Sequence, residues 1–276
     1  MNRQQTRTVK VMFMLLADTL RPLINLVLAK TWLDTDKLPR ESGFIVCANH
    51  YTEIDPVIVG HMLYNKGFPP HFLAKASLFK VPLFGKMLSG SEQIPVDRNG
   101  PLARGSLEVG RKVLDDGGAI VIYPEGTLTR DPDLWPMHGH TGAARLALAT
   151  GAPIIPVAHW GAQEALPRYA RMVHLFPRKR VTVQVGDPVD LSDFLDRERD
   201  KELYEEATER IMAALTAMVA HLRGEEPPAT RWVPAEHGQA VTGRDLGVPE
   251  SEAAAAEPEQ PEPEQPDTGH TPGGAR

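Results

Sequence analysis

The sequence predicts an α/β fold, a single domain with a mixed central sheet flanked by helices, on three observations. Between Ser42 and Val189 short apolar runs alternate with helix-length amphipathic segments, the pattern of a sheet covered on both faces. Four of these runs end in polar or proline-bearing segments, as expected where the strand ends of an open sheet converge on a ligand crevice. With 276 residues the chain is long enough to bury a substantial core.

At the amino end, residues 9–28 form the most hydrophobic stretch, interrupted by Asp18, Arg21, Pro22 and Asn25. A spanning helix needs about 20 predominantly apolar residues, and a central Asp or Arg costs roughly 2.5 to 3.5 kcal/mol, which argues against a transmembrane segment. No small-residue cleavage site follows, which argues against a signal peptide. Residues 1–36 therefore read as an amphipathic two-helix segment broken near Pro22. Their apolar faces suit insertion into one leaflet, with Arg3, Arg7 and Lys10 nearby for the headgroups. The alternative is a helical hairpin packed on the domain.

Residues 37–223 hold the α/β domain. Strands are predicted at 44–48, 72–74, 93–96, 119–123, 154–159 and 181–185, and helices at 56–64, 102–114, 141–149 and 200–222. In the last helix Leu203, Ala207, Ile211, Ala214, Leu215, Met218 and Leu222 recur at helical spacing. Residues 224–276 are acidic, proline-rich and almost free of large apolar side chains, a composition that cannot offset its ordering entropy, so a disordered tail is expected.

The formal charge of -6 is a property of that tail. Removing its three basic and eleven acidic residues leaves 27 basic against 25 acidic, a mildly basic domain compatible with anionic lipid or phosphorylated substrates. This is no nucleic-acid footprint. The single cysteine, Cys47, lies within a predicted strand, which excludes a disulfide framework and reads as a buried structural thiol.

The most informative run is Ala48-Asn49-His50-Tyr51-Thr52-Glu53-Ile54-Asp55-Pro56. The strand before it delivers His50 to the sheet's carboxyl edge. There an imidazole titrating near pH ~6.5 can accept a proton from a substrate hydroxyl while a carboxylate on its other nitrogen fixes the tautomer. Taken alone, Asp55 before Pro56 reads equally as the cap of the next helix. Three more segments follow apolar strands: Ile94-Pro95-Val96-Asp97-Arg98, Ile122-Tyr123-Pro124-Glu125-Gly126-Thr127 and Ile154-Ile155-Pro156-Val157-Ala158. Arg98 offers a forked cation for a phosphate, Glu125 an acceptor for hydroxyls, and Gly126 a close backbone approach; singly, a salt-bridge residue and an ordinary turn explain them as well. His138-Gly139-His140 has a spacing seen in metallohydrolases but completes no zinc signature.

These motifs, in this order, resemble the lysophosphatidic acid acyltransferases of the glycerolipid acyltransferase superfamily, over about residues 38–189. Asn49-His50-x4-Asp55-Pro56 matches the first motif, and Lys75 to Gly85 through Ile94-Pro95-Val96-Asp97-Arg98 matches the stretch ending in the second. Tyr123-Pro124-Glu125-Gly126-Thr127 matches the third and Ile155-Pro156-Val157 the fourth. The resemblance implies His50 as general base and Asp55 as its partner. It implies Arg98, Glu125 and Gly126 at the acceptor's glycerol phosphate, Pro156 at the acyl-donor channel, and Asn49, Lys75, Thr127 and Arg130 as further substrate contacts. It departs where Leu128-Thr129 replaces the usual Arg-Ser, with Arg130 following, and where Thr52 stands for serine. It also implies a lysophospholipid acceptor, acyl-CoA or acyl carrier protein as donor, no metal and no cofactor beyond that cosubstrate. The expected location is peripheral, at the cytoplasmic face of a membrane. A catalytically silent lipid-surface binding protein and a metallohydrolase are the rival readings.

Overall fold

A computed structural model describes residues 14, 21–22, 24–96 and 104–240. Seven strands form one sheet: β1 Leu28–Leu33, β2 Phe44–Ala48, β3 Pro70–Lys75, β4 Ile94–Val96, β5 Ala119–Ile122, β6 Ile154–Trp160 and β7 Lys179–Val185, in the order β1-β7-β6-β2-β5-β3-β4. Strands β2 to β6 are mutually parallel, β7 runs antiparallel to β6, and β1 runs parallel to β7. The sheet is therefore mixed. The carboxyl ends of the five parallel strands share an edge with the amino ends of β7 and β1.

Strand β2, Phe-Ile-Val-Cys-Ala, is fully enclosed, which is why it reads as an unbroken apolar run. Alternate residues point to opposite faces. Phe44, Val46 and Ala48 join Val121, Val157 and the helix α1 (Asp55–Asn65) residues Ile58, Val59, Met62 and Leu63 in one core. Ile45 and Cys47 join Ile120 and Ile154 in the other, beneath α3 (Arg104–Asp115), α4 (Gly142–Thr150) and α6 (Lys201–Arg223). Two shorter helices are α2 (Phe84–Gly90) and α5 (Ala162–Ala165). Leu203, Ala207, Ile211 and Leu215 give α6 its buried stripe, each large aliphatic worth about 1.5 to 3 kcal/mol. The Asp200 side chain accepts from Leu203 N at 2.8 Å to start α6, and Gly224 in the left-handed region ends it. Burial pushes the Cys47 thiol far above its usual pKa, as befits a structural residue.

Three expectations need correction. Residues 28–33, inside the segment read as helical, form edge strand β1, so the amino-terminal helical region ends at residue 27 in the described part. Most of residues 1–23 lie outside the described residues. Helix α2 was not predicted; it is one short stretch between a turn and a strand. The tail does not begin at residue 224: up to residue 240 it packs back on the domain, where His138 N donates to Trp232 O at 3.0 Å, Arg231 pairs with Glu209 and Trp232 stacks on His237. The remainder, 241–276, lies outside the described residues.

Candidate active site

Strand β2 ends at Ala48, and the next residue prolongs its ladder with a side chain. Asn49 Nδ2 donates to His159 O at 3.1 Å and His159 N donates to Asn49 Oδ1 at 2.9 Å, so the amide acts as one more rung against β6. His50 follows at the carboxyl edge, its side chain 14% exposed. Its Nδ1 lies 2.9 Å from Asp55 Oδ2, which also accepts from Tyr51 N at 2.6 Å and Thr52 N at 2.8 Å. Asp55 thus faces back into the turn that carries His50 rather than capping its own helix, where no side-chain cap is made. The side chain therefore contacts the imidazole and makes no helix cap. Asp55 presents an acceptor to Nδ1, so that nitrogen carries the proton and Nε2 keeps its lone pair.

A second support lies behind the imidazole. Tyr123, just past β5, stacks on His50 with centroids 4.1 Å apart and rings 24° from parallel. Glu125 Oε1 accepts from His50 N and Oε2 from Met137 N, both at 3.1 Å, so one carboxyl joins the His50 loop to the loop after β5. Thr129 N donates to His50 O at 2.8 Å and closes the link. Burial raises the Glu125 pKa to about 8; hydrogen bonds from the Met137 and His50 amides and from Thr129 pull it down, and the Asp55 charge pushes it up. Gly126 sits at φ +70°, and a Cβ there would meet the His140 ring at 2.7 Å, so the turn requires glycine.

The predicted site residues separate into an edge set and an interior set. His50, Asp55 and Gly126 gather at the carboxyl edge, and Lys75 ends β3 on that edge opposite Val96. Asn49, Glu125, Arg130 and Pro156 are buried rather than displayed to a ligand, and Thr127 is nearly so. The reason differs for each. The Asn49 amide is used by the β6 main chain and both Glu125 oxygens by loop amides. Arg130 is enclosed beneath Met137, whose sulfur accepts from Arg130 N at 3.3 Å, and Pro156 sits mid-strand beside Cys47 with its carbonyl held by Gly186 N at 2.8 Å. Arg98 lies outside the described residues.

Two residues join the site without having been predicted. His159, at the end of β6 and fully buried, has Nε2 2.9 Å from Asn49 O and 3.8 Å from Asp55 Oδ2; burial lowers its pKa, so it is a neutral donor to that carbonyl. A polar residue closing an apolar strand was its only signal. Arg168, partly exposed, donates to Thr129 O and to Asp131 O at 3.0 Å and so brings a guanidinium beside the His50 loop; nothing in the sequence marks it. His138 and His140 line one cavity with Glu205 and Glu209: His140 packs over Gly126, and His138 Nδ1 lies 3.9 Å from Glu209. Among the described residues no three His, Cys, Asp or Glu side chains form a metal-binding group.

Comparison with known proteins gives three findings. Residues 32–160 match the family described as Acyltransferase. The 1-acyl-sn-glycerol-3-phosphate acyltransferase of Bacillus subtilis is 27% identical over 183 residues, 66% of this chain and 85% of that one; the protein of the same name from Borreliella burgdorferi is 33% identical over 45% of this chain and 48% of its own. The crystal structure of the 1-acyl-sn-glycerophosphate acyltransferase of Thermotoga maritima superposes with a TM-score of 0.55 over 80% of this chain and 81% of that chain, at 21% identity, a likeness of fold.

Proposed function

Residues 32–160 of this chain belong to the acyltransferase family, and from that premise we propose that it moves a fatty acyl group from acyl-CoA or acyl carrier protein to the free hydroxyl of 1-acylglycerol 3-phosphate. The product is phosphatidic acid. The observation that carries the reading is the His50–Asp55 pair, fixed at 2.9 Å at the carboxyl edge of the parallel strands, the edge on which open α/β sheets take their ligands. His50 Nε2 takes the proton from the acceptor hydroxyl as its oxygen attacks the thioester carbonyl. The new C–O bond forms, the C–S bond breaks, and the imidazolium returns its proton to the departing thiolate. Asp55 holds the ring and offsets its transient charge. No serine nucleophile and no cofactor beyond the acyl donor enter this scheme.

Arg98 is assigned to the acceptor phosphate, as the resemblance implies, and Arg168 adds positive charge on the β6 side of His50. Asn49, Glu125 and His159 act as positioning residues. Lysolipid acceptor and product both live in a bilayer, so in this reading the enzyme works peripherally, at the cytoplasmic face; among the described residues no helix is long and apolar enough to cross a membrane. The test is His50→Ala assayed with acyl-CoA and a panel of lysolipids, products resolved by mass spectrometry. General-base action is worth about 10² to 10⁴ in rate, so turnover falls at least ~100-fold. Turnover above a tenth of wild type removes His50 from that role.

A further inference from the structure

The reversed strands β7 and β1 begin on the same sheet edge where β2 and β5 deliver His50 and Glu125. Each is preceded there by exposed apolar residues: Leu26 (55% exposed) before β1, and Met172 (75%) and Phe176 (70%) before β7. Residues 171–178 are exposed throughout, and the run passes directly into Arg178-Lys179-Arg180. Arg178 Nη2 donates to Asn25 O and Leu28 O, both at 2.8 Å, which holds this loop against the amino-terminal helical turn. On the far side of His50 the segment after β3 repeats the arrangement. Leu83 (81%) stands exposed at φ +65°, a conformation that L side chains rarely adopt, between Val81 and the exposed Lys86. Large apolar side chains standing in water above a rim of cations match one partner, the boundary between headgroups and acyl chains of an anionic bilayer.

We infer that the sheet edge bearing His50 is the bilayer-docking face of the protein, and that the loop 172–176 is a membrane wedge in its own right, separate from the amino-terminal segment. The inference rests on the peripheral-membrane part of the proposed function. Docked this way, the site faces the lipid surface directly, and an acceptor reaches His50 without leaving the headgroup layer.

The chain's only cysteine, Cys47, is buried, so Phe176→Cys gives one reactive position for a polarity-sensitive dye. Vesicles of phosphatidylcholine with and without phosphatidylglycerol are then added to the labelled full-length protein. The expected result is a blue shift with the anionic vesicles. In parallel, Met172→Glu/Phe176→Glu lowers partitioning about a hundredfold, on about tenfold per inserted side chain, while kcat/KM on a short-chain soluble acceptor is unchanged. If wild type sediments with the vesicles but the dye stays unshifted, the wedge is refuted and the peripheral reading stands. If wild type does not sediment at all, the peripheral reading fails and takes the wedge with it. The dye result decides even if the double variant does not fold.

Discussion

Glu125→Gln tests whether one buried carboxyl holds the His50 loop against the loop after β5. The folded-state pKa of Glu125, about 8, lies above its ordinary value of 4.5, so between those values the folded chain binds more protons than the unfolded one. Stability contributed by this group is therefore present at low pH and lost as pH rises, with a slope of up to about 1.4 kcal/mol per pH unit between roughly pH 5 and pH 8. Glutamine cannot titrate. Its NH2 must also oppose the amide N–H of either His50 or Met137, which costs about 1 to 3 kcal/mol through one buried donor left unmet. Wild type is thus the more stable at pH 5, and the two proteins converge or cross by pH 8. Urea unfolding of both across this range is the assay. The buried histidines are common to both proteins and cancel in the difference. A difference that stays constant with pH refutes the argument, because Glu125 would then titrate alike in the folded and unfolded chain.

Three further outcomes follow from the same geometry. His159→Leu leaves the Asn49 carbonyl without its 2.9 Å donor and costs about 1 to 3 kcal/mol, and kcat falls more than either KM because His159 touches neither substrate; a KM effect alone contradicts its positioning role. Gly126→Ala at φ +70° costs about 1 to 2 kcal/mol by melting temperature and lowers kcat through the displaced Glu125; an unchanged melting temperature shows that the turn tolerates a side chain. Truncation after Gly224 removes the Trp232 acceptor of His138 and the Arg231 partner of Glu209, so the shortened domain melts several degrees lower; equal melting would make 225–240 a bystander.

The five parallel strands were legible because each is a short apolar run between turns, and β2, enclosed on both faces, is the extreme case. Strand β1 was not. Leu-Ala-Lys-Thr-Trp-Leu is a partly exposed edge strand that directly follows an apolar helical stretch, so its period-2 signal merges with the helix before it. In the site, the position of each polar strand end was legible but its direction was not. His50 and Glu125 each follow an apolar strand, yet one reaches the edge while the other turns inward to meet two backbone amides. Local pattern carries no information on which main-chain groups need an acceptor, and that need decided the fates of Asn49 and Glu125. His159 went unread because its partner, Asn49, lies 110 residues earlier in the chain.

The first strand of the sheet is also a record of synthesis order. Among the described residues Leu28–Leu33 pairs only with Lys179–Gln184, about 150 residues later, and at the ribosome's pace of about 5 to 20 residues per second that partner emerges roughly 8 to 30 seconds behind it. By the end of that interval all five parallel strands have been made, whereas β1 still lacks its partner. Strand β1 therefore stays unanchored to the sheet until β7 is made, and a translating chain exposes it to chaperone or lipid before its partner exists.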